Sequence, residues 1–204
     1  MKNVHTVIVP GVGGSDATHW QSWLQQQITN SSRVLQADWN QPILTQWVDN
    51  FYRHVMSLNR PVQVVAHSFG CLTTIAALAK YPALKHWIQS VLLVAPANPA
   101  RFSQSGFATH EENFSRIFGN FRLTIPALMV VSENDPWLKL TDALHYAKTW
   151  NIPYVNQGMV GHINVASGYG KWSQVLDYMQ MLATPQRVTR HHSINHFSSF
   201  HFAI

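Results

Sequence analysis

The sequence predicts a single α/β domain with a mostly parallel, six-stranded sheet flanked by helices on both faces. Segments typical of strands and of helices alternate along the chain, which is the pattern of β-α-β units. Most strand candidates are continuous apolar runs, as expected for strands that are buried on both faces. With 204 residues, of which 46% are apolar, the chain is long enough for one such domain and too short for two.

The individual elements follow from apolar patterning and from the breakers between them. Mostly apolar runs predict strands at 6–9, 33–36, 62–66, 91–95, 127–132 and, with the weakest pattern, 154–156. Helical patterns between them predict helices at 20–28, 45–58, 71–81, 142–150 and 170–182. Prolines disrupt helix interiors and central strands, and they fall at the proposed boundaries: Pro42, Pro61, Pro82, Pro96, Pro99, Pro126 and Pro153.

Two segments do not fit the alternation. The segment 98–123 has no strong period and contains several phenylalanines, Phe102 and Phe114 among them. It is interpreted as a short lid-like excursion over the site. The alternative is an ordinary crossover helix with an aromatic core face, and for the later half of the segment this alternative is favoured. Residues 184–204 carry four histidines. Their spacing does not match a structural zinc site, and no Cys or carboxylate accompanies them. We expect a domain over 1–183, a loosely ordered tail over 184–204, and no metal or cofactor.

Composition excludes several classes of partner and compartment. The net charge is +5, but the 14 Lys and Arg residues form no run and share no helical face, so no nucleic-acid partner is expected. Cys71 is the one cysteine, which excludes an intramolecular disulfide and fits a reducing compartment. No signal peptide is evident, and no apolar stretch approaches the ~20 residues of a membrane span. The expectation is a cytoplasmic protein.

The most informative motif is the run Ala66-His67-Ser68-Phe69-Gly70, which follows a strand candidate and precedes a helix candidate. In this context a central Ser with small residues two before and two after it predicts a nucleophile elbow, a tight turn that exposes the Ser hydroxyl. The alternative is a Ser that merely caps the following helix. The residues downstream favour the first interpretation.

A Ser nucleophile needs a His as general base and a carboxylate that orients the His. Asp135 follows the strand candidate 127–132, and His162 follows the strand candidate 154–156, in the chain order Ser, acid, His. Asp135 before a proline could instead start a turn, Glu133 is a rival acid, and His162 could simply face solvent. Chance would produce one such residue far more often than all three in this order. Ser68, Asp135 and His162 are therefore the predicted catalytic residues.

The negative oxygen that forms during acyl transfer needs two backbone N–H donors, an oxyanion hole. The residue after the nucleophile, Phe69, supplies one of them. The Gly-rich loop after the first strand supplies the other, with Val12 as the choice and Gly13 as the reserve. The same loop could be taken for a phosphate cradle, but it lacks the G-x-G-x-x-G spacing and a Gly-Lys-Ser/Thr ending. Gly13, Phe102 and Trp137 are the expected substrate-pocket residues.

These residues, with other short segments, resemble the small YdeN-like serine hydrolases of bacteria, whose human relative is retinoblastoma-binding protein 9. The resemblance covers about residues 4 to 182. It rests on segments that are specific in combination: Pro10-Gly11 to Gly14, His19-Trp20-Gln21, Asp38-Trp39, Val65 to Cys71, Leu93 to Pro96, Ser132 to Pro136, Gly161 to Asn164 and Ser167 to Trp172.

The resemblance implies a minimal α/β-hydrolase that lacks the first two strands of the fold, with Ser68, Asp135 and His162 as the triad. It also implies an esterase or amidase, although it does not fix the substrate. Two hypotheses follow. The first is a serine hydrolase that cleaves small carboxylic esters, or short amides, through an acyl-enzyme on Ser68. The second is a protein-binding module on a hydrolase scaffold with little turnover, its protein partner unknown.

Overall fold

The computed structural model describes residues 4–101 and 112–183. Six strands form one sheet in the order β2-β1-β3-β4-β5-β6, and every neighbouring pair is parallel. The strands are β1 (His5–Val9), β2 (Ser31–Arg33), β3 (Val62–Ser68), β4 (Ile88–Pro96), β5 (Ala127–Val131) and β6 (Tyr154–Asn156). The predicted fold class, a minimal α/β-hydrolase, is confirmed.

Helices connect the strands, as the alternation predicts. They are α1 (Trp20–Gln27), α2 (Leu44–Leu58), α3 (Phe69–Lys80), α4 (Glu112–Asn120), α5 (Leu140–Trp150) and α6 (Gln174–Ala183). Short 3-10 turns lie at Pro82–His86, Pro99–Arg101 and Val165–Ser167. None of the helices in the described ranges is long and apolar enough to cross a bilayer.

Both faces of the sheet are buried, which explains the continuous apolar runs. Side chains alternate between faces along a strand, so neighbouring residues enter different cores. Val64 and Leu93 pack in a cluster with α2, α3, α4 and α5, whereas Val65 and Leu92 pack with α1 and α6. Cys71, at the start of α3, is fully buried, and burial raises the pKa of its thiol. Cys71 is thus a small residue of the core.

The second strand was predicted at 33–36 and lies instead at Ser31–Arg33. It is an edge strand, so pairing with β1 on one side sets its extent, with Thr6 opposite Ser31 and Ile8 opposite Arg33. The apolar residues that suggested the later position, Val34 and Leu35, follow the strand; Val34 is buried, and Leu35 is 70% exposed.

The later half of the segment 98–123 forms helix α4. Phe114 and Phe118 are buried in the core beside α3 and α5, so this part is the crossover helix with an aromatic core face. The lid interpretation is therefore wrong for this half. Phe102 and Phe107 lie outside the described residues, as does the predicted tail 184–204.

Candidate active site

Ser68 stands at the end of β3, where the chain turns sharply into α3. Its backbone has φ 53° and ψ −122°, a conformation that costs of order 1–3 kcal/mol for a non-glycine residue. A Cβ added to Gly70 would lie 2.3 Å from the Val9 carbonyl oxygen and 2.6 Å from that of Pro10, so only glycine fits there. The Ser68 side chain makes no capping hydrogen bond to α3, so the capping alternative is wrong.

The Ser68 hydroxyl is hydrogen-bonded to His162. The distance from Ser68 Oγ to His162 Nε2 is 2.8 Å. On its other side, His162 Nδ1 lies 2.8 Å from Asp135 Oδ2 and 3.0 Å from Oδ1. Because a carboxylate only accepts, this pairing puts the imidazole proton on Nδ1 and leaves Nε2 to accept from the Ser68 hydroxyl. His162 and Asp135 are both buried.

The two rival carboxylates have different surroundings. Asp135 is buried, and one of its oxygens also accepts from the backbone N–H of Trp137 at 2.8 Å. Glu133 is exposed, and its Oε1 accepts from the side chain of Asn156 at 2.9 Å. The structure therefore brings Asp135, and not Glu133, to His162.

The loop that carries His162 is fixed by two buried aromatic side chains. His67 Nε2 lies 3.0 Å from the carbonyl oxygen of His162, and it must donate because a carbonyl only accepts. Burial lowers the pKa of His67 well below its usual value, and the nearby His162 and His19 act in the same direction, so this ring is neutral. Trp20 Nε1 donates to the carbonyl oxygen of Ile163 at 2.8 Å. Neither role was predicted from the sequence, although both residues belong to the segments that carry the resemblance.

The loop after β1 passes directly beside the turn at Ser68. A Cβ on Gly11 would lie 2.7 Å from Ser68 Cβ and 3.2 Å from the backbone nitrogen of Phe69. The N–H of Gly13 is occupied, because it donates to the Trp39 carbonyl at 3.0 Å. The N–H of Val12 donates to no residue in the described ranges. Of the two sequence candidates in this loop, Val12 therefore remains the better donor.

The second candidate donor, Phe69, is the first residue of α3. Its ring is buried and packs edge-on against Trp47, with 5.1 Å between ring centroids. The N-terminus of a helix carries a partial positive charge, which favours a negative oxygen beside Ser68.

Two polar side chains, one buried and one half-buried, hold the loop after β1 in place. The Gln21 amide nitrogen donates to the carbonyl oxygens of Val9 and Val65 at 3.3 and 3.2 Å. Its amide oxygen accepts from the hydroxyl of Ser15 at 2.7 Å. Arg33, on β2, donates to the Ser15 carbonyl at 2.7 Å. These contacts tie the loop to the two strands whose ends form the site.

A cavity of about 440 Å³ opens beside Ser68. Apolar parts of its wall come from Val12, Leu72 and Trp137, and Gly13 also lines it. Trp137 is 41% exposed, with its ring centroid 6.3 Å from that of His162. Gly13 and Trp137 thus border the cavity that was predicted for them, whereas Phe102 lies outside the described residues. In residues 4–101 and 112–183, no three His, Cys, Asp or Glu side chains are grouped to hold a metal.

The chain matches the model of a known protein family over most of its length. The family model described as serine hydrolase matches residues 6–181. The chain belongs to the serine hydrolase family. Among curated proteins, none matches it.

Solved structures agree with this assignment. A protein described as a YdeN-like hydrolase, from Pectobacterium atrosepticum, is 33% identical with a TM-score of 0.77; the match covers 88% of this chain and 90% of that one. The ydeN gene product of B. subtilis is 17% identical with a TM-score of 0.67, covering 88% and 98%. Est1E from Butyrivibrio proteoclasticus shares the fold at 14% identity and a TM-score of 0.63, covering 88% of each chain. The predicted resemblance to YdeN-like α/β-hydrolases is confirmed.

Proposed function

We propose that the protein hydrolyses small carboxylic esters, or short amides, through an acyl-enzyme on Ser68. One observation carries the proposal: the hydrogen bonds from Asp135 through His162 to a Ser hydroxyl that is held at a strained turn. Membership of the serine hydrolase family supports it. A protein-binding module with little turnover would not need this alignment.

In the first half of the reaction, Ser68 Oγ attacks the ester carbonyl carbon while His162 Nε2 takes the hydroxyl proton. Asp135 stabilises the imidazolium that forms, and it keeps the ring in the orientation that faces Ser68. The carbonyl oxygen becomes negative, and the N–H groups of Val12 and Phe69 are the donors that face it. The bond to the alcohol oxygen then breaks, and the alcohol leaves with the proton from His162.

In the second half, water attacks the carbonyl carbon of the acyl group on Ser68. His162 takes a proton from this water and returns it to Ser68 Oγ as the acyl–oxygen bond breaks. A carboxylic acid leaves, and the starting state is restored. Proton transfer needs only one imidazole because it switches between base and acid.

The size of the cavity favours short acyl groups. A volume of about 440 Å³ lies near the lower end of ligand pockets, which span roughly 300–1,000 Å³. Burying each further CH₂ yields about 0.8 kcal/mol only while the wall still offers apolar contact. Phe114 and Phe118 of helix α4 are buried in the core and do not line the cavity, so they add no apolar wall for a longer chain.

The test is hydrolysis of p-nitrophenyl acetate by the Ser68→Ala variant. Losing the nucleophile of a triad costs about 10⁶ in turnover. A matched control is Ser57→Ala, because the exposed Ser57 hydroxyl on α2 donates only to the His54 carbonyl. We expect the control to keep the parent rate. A Ser68→Ala variant that also kept it would disprove the proposal.

A further inference from the structure

The cavity beside Ser68 is also lined by His19, an imidazole to which the mechanism gives no role. His19 immediately precedes α1, its ring lines the cavity, and the residue is only 6% exposed. Its Nδ1 accepts a hydrogen bond from the backbone N–H of Gln21 at 3.1 Å, which caps the helix. A nitrogen that accepts carries no proton, so the proton of the neutral ring is on Nε2.

The Nε2–H group of His19 has no hydrogen-bond partner among the described residues. In the same part of the chain, every side-chain nitrogen or oxygen atom that is shielded from solvent does have a partner. Nε2 is therefore accessible, and the space that this buried ring borders is the cavity.

His19 stays a neutral donor over the ordinary pH range. Burial is the main cause that lowers the pKa of His19 to about 4; Arg33 and His162 act in the same direction, and Asp16 opposes them. A neutral imidazole offers a directed hydrogen bond without adding a charge to the site.

The position of His19 suits contact with a substrate away from the reacting bond. Its ring centroid lies 4.9 Å from that of His67, which in turn lies 4.9 Å from that of His162. His19 is thus separated from the base by one imidazole. The N–H groups of Val12 and Phe69 are already assigned to the oxygen of the scissile carbonyl, so the substrate group left for His19 belongs to the acyl or alcohol part of the ester.

We propose that His19 Nε2–H donates a hydrogen bond to a second oxygen atom of the substrate, so that the site selects oxygen-bearing esters. These are esters whose acyl or alcohol part carries an ether, hydroxyl or carbonyl oxygen. A hydrocarbon analogue would cover the Nε2–H group without accepting a hydrogen bond from it. The donor would then be buried without a partner, which lowers kcat/KM for that analogue. This inference rests on the function proposed above.

The test compares pairs of esters that differ by one oxygen in place of one CH₂. On the acyl side the pairs are the p-nitrophenyl esters of methoxyacetate and butyrate, of 3-methoxypropanoate and pentanoate, and of 4-methoxybutanoate and hexanoate. On the alcohol side the pair is 2-methoxyethyl acetate and butyl acetate. The ratio of kcat/KM within a pair is measured for the parent and for two variants. Comparing the ratios between proteins cancels the intrinsic reactivity of each ester.

Two variants separate the two nitrogens of the ring. His19→Asn keeps an acceptor near Nδ1 and hence the helix cap, but removes the donor in the cavity. His19→Gln keeps a donor near Nε2 but removes the acceptor for the cap. For at least one pair, we expect the preference for the oxygen-bearing ester to fall about tenfold in His19→Asn. In His19→Gln the preference should stay within about threefold of the parent, while Tm falls.

The inference would be overturned if the kcat/KM ratio of every ester pair in His19→Asn equalled that of the parent. It would also be overturned if both variants lowered kcat/KM equally for the two esters of each pair. Either result, obtained with a parent protein that turns over, leaves the function proposed for Ser68 intact. A parent protein without Ser68-dependent turnover would overturn both.

Discussion

Replacing Gly70 by alanine should displace the two parts of the site that meet at this glycine. The added Cβ would lie 2.3 Å from the carbonyl oxygen of Val9 and 2.6 Å from that of Pro10. Both atoms belong to the backbone, so no side chain can swing aside to make room. Either α3 must move away from the end of β1, or the loop that carries Val12 must move away from Ser68.

The expected magnitudes follow from this overlap. Overpacking costs about 1–3 kcal/mol, and a backbone clash belongs at the upper end. For a domain of this size each kcal/mol lowers Tm by about 2–4 °C, so the expected loss is about 6–12 °C. A displaced Val12 no longer donates to the oxyanion, and losing one such donor costs about 10²–10³ in kcat.

The assay combines thermal unfolding with p-nitrophenyl acetate kinetics. Gly119→Ala is the matched control, because Gly119 is exposed on α4 and a Cβ there meets nothing within 4 Å. Alanine in a helix is favoured over glycine by about 1 kcal/mol, so the control should gain a few degrees and keep the parent activity. Parent values of Tm and kcat in Gly70→Ala would refute the steric reasoning.

Three further predictions concern the acid, the acyl chain and pH. Asp135→Asn should lower kcat about 10⁴-fold by favouring the wrong tautomer of His162, while Glu133→Gln should have little effect; the reverse order in side-by-side kinetics would transfer the role. Among p-nitrophenyl esters, acetyl to hexanoyl should give the highest kcat/KM, with a fall beyond about eight carbons, and a profile still rising at twelve would contradict the small pocket. The folded pKa of His19, about 4, lies below its ordinary value of 6.5, so the unfolded state binds more protons between these values. Stability should therefore fall as pH falls from 6.5 towards 4, by up to about 1.4 kcal/mol per pH unit from this residue. Melts at pH 7 and 4.5 should show a smaller loss of Tm in His19→Asn than in the parent; an equal loss would contradict the assignment.

The fold and the turn at Ser68 were predictable because their causes are local in sequence. Apolar runs mark strands buried on both faces, and the small residues Ala66 and Gly70 follow from crowding at a single turn. The second strand was placed wrongly because an edge strand is defined by its partner β1. Val34 and Leu35 gave an apolar signal that does not report such pairing.

The polar contacts around the site could not be predicted because each joins residues that are distant in sequence. Gln21 reaches the carbonyl of Val65, and His67 reaches the carbonyl of His162. The hydrophobic period of a segment predicts whether it forms a helix or a strand, but it does not indicate which distant residue a polar side chain contacts. For the same reason the sequence alone could not decide between Val12 and Gly13 as the oxyanion-hole donor. The hydrogen bond from Gly13 to the distant Trp39 favours Val12.

The activation of Ser68 by His162 is tested most directly by peptide mass spectrometry after reaction with a fluorophosphonate probe. The probe bonds covalently to a serine that a neighbouring base activates, whatever the natural substrate. We expect one adduct, on Ser68, which disappears in Ser68→Ala and forms far more slowly in His162→Ala. No adduct on the folded parent protein, or an adduct on another residue, would contradict the role of Ser68 as the nucleophile.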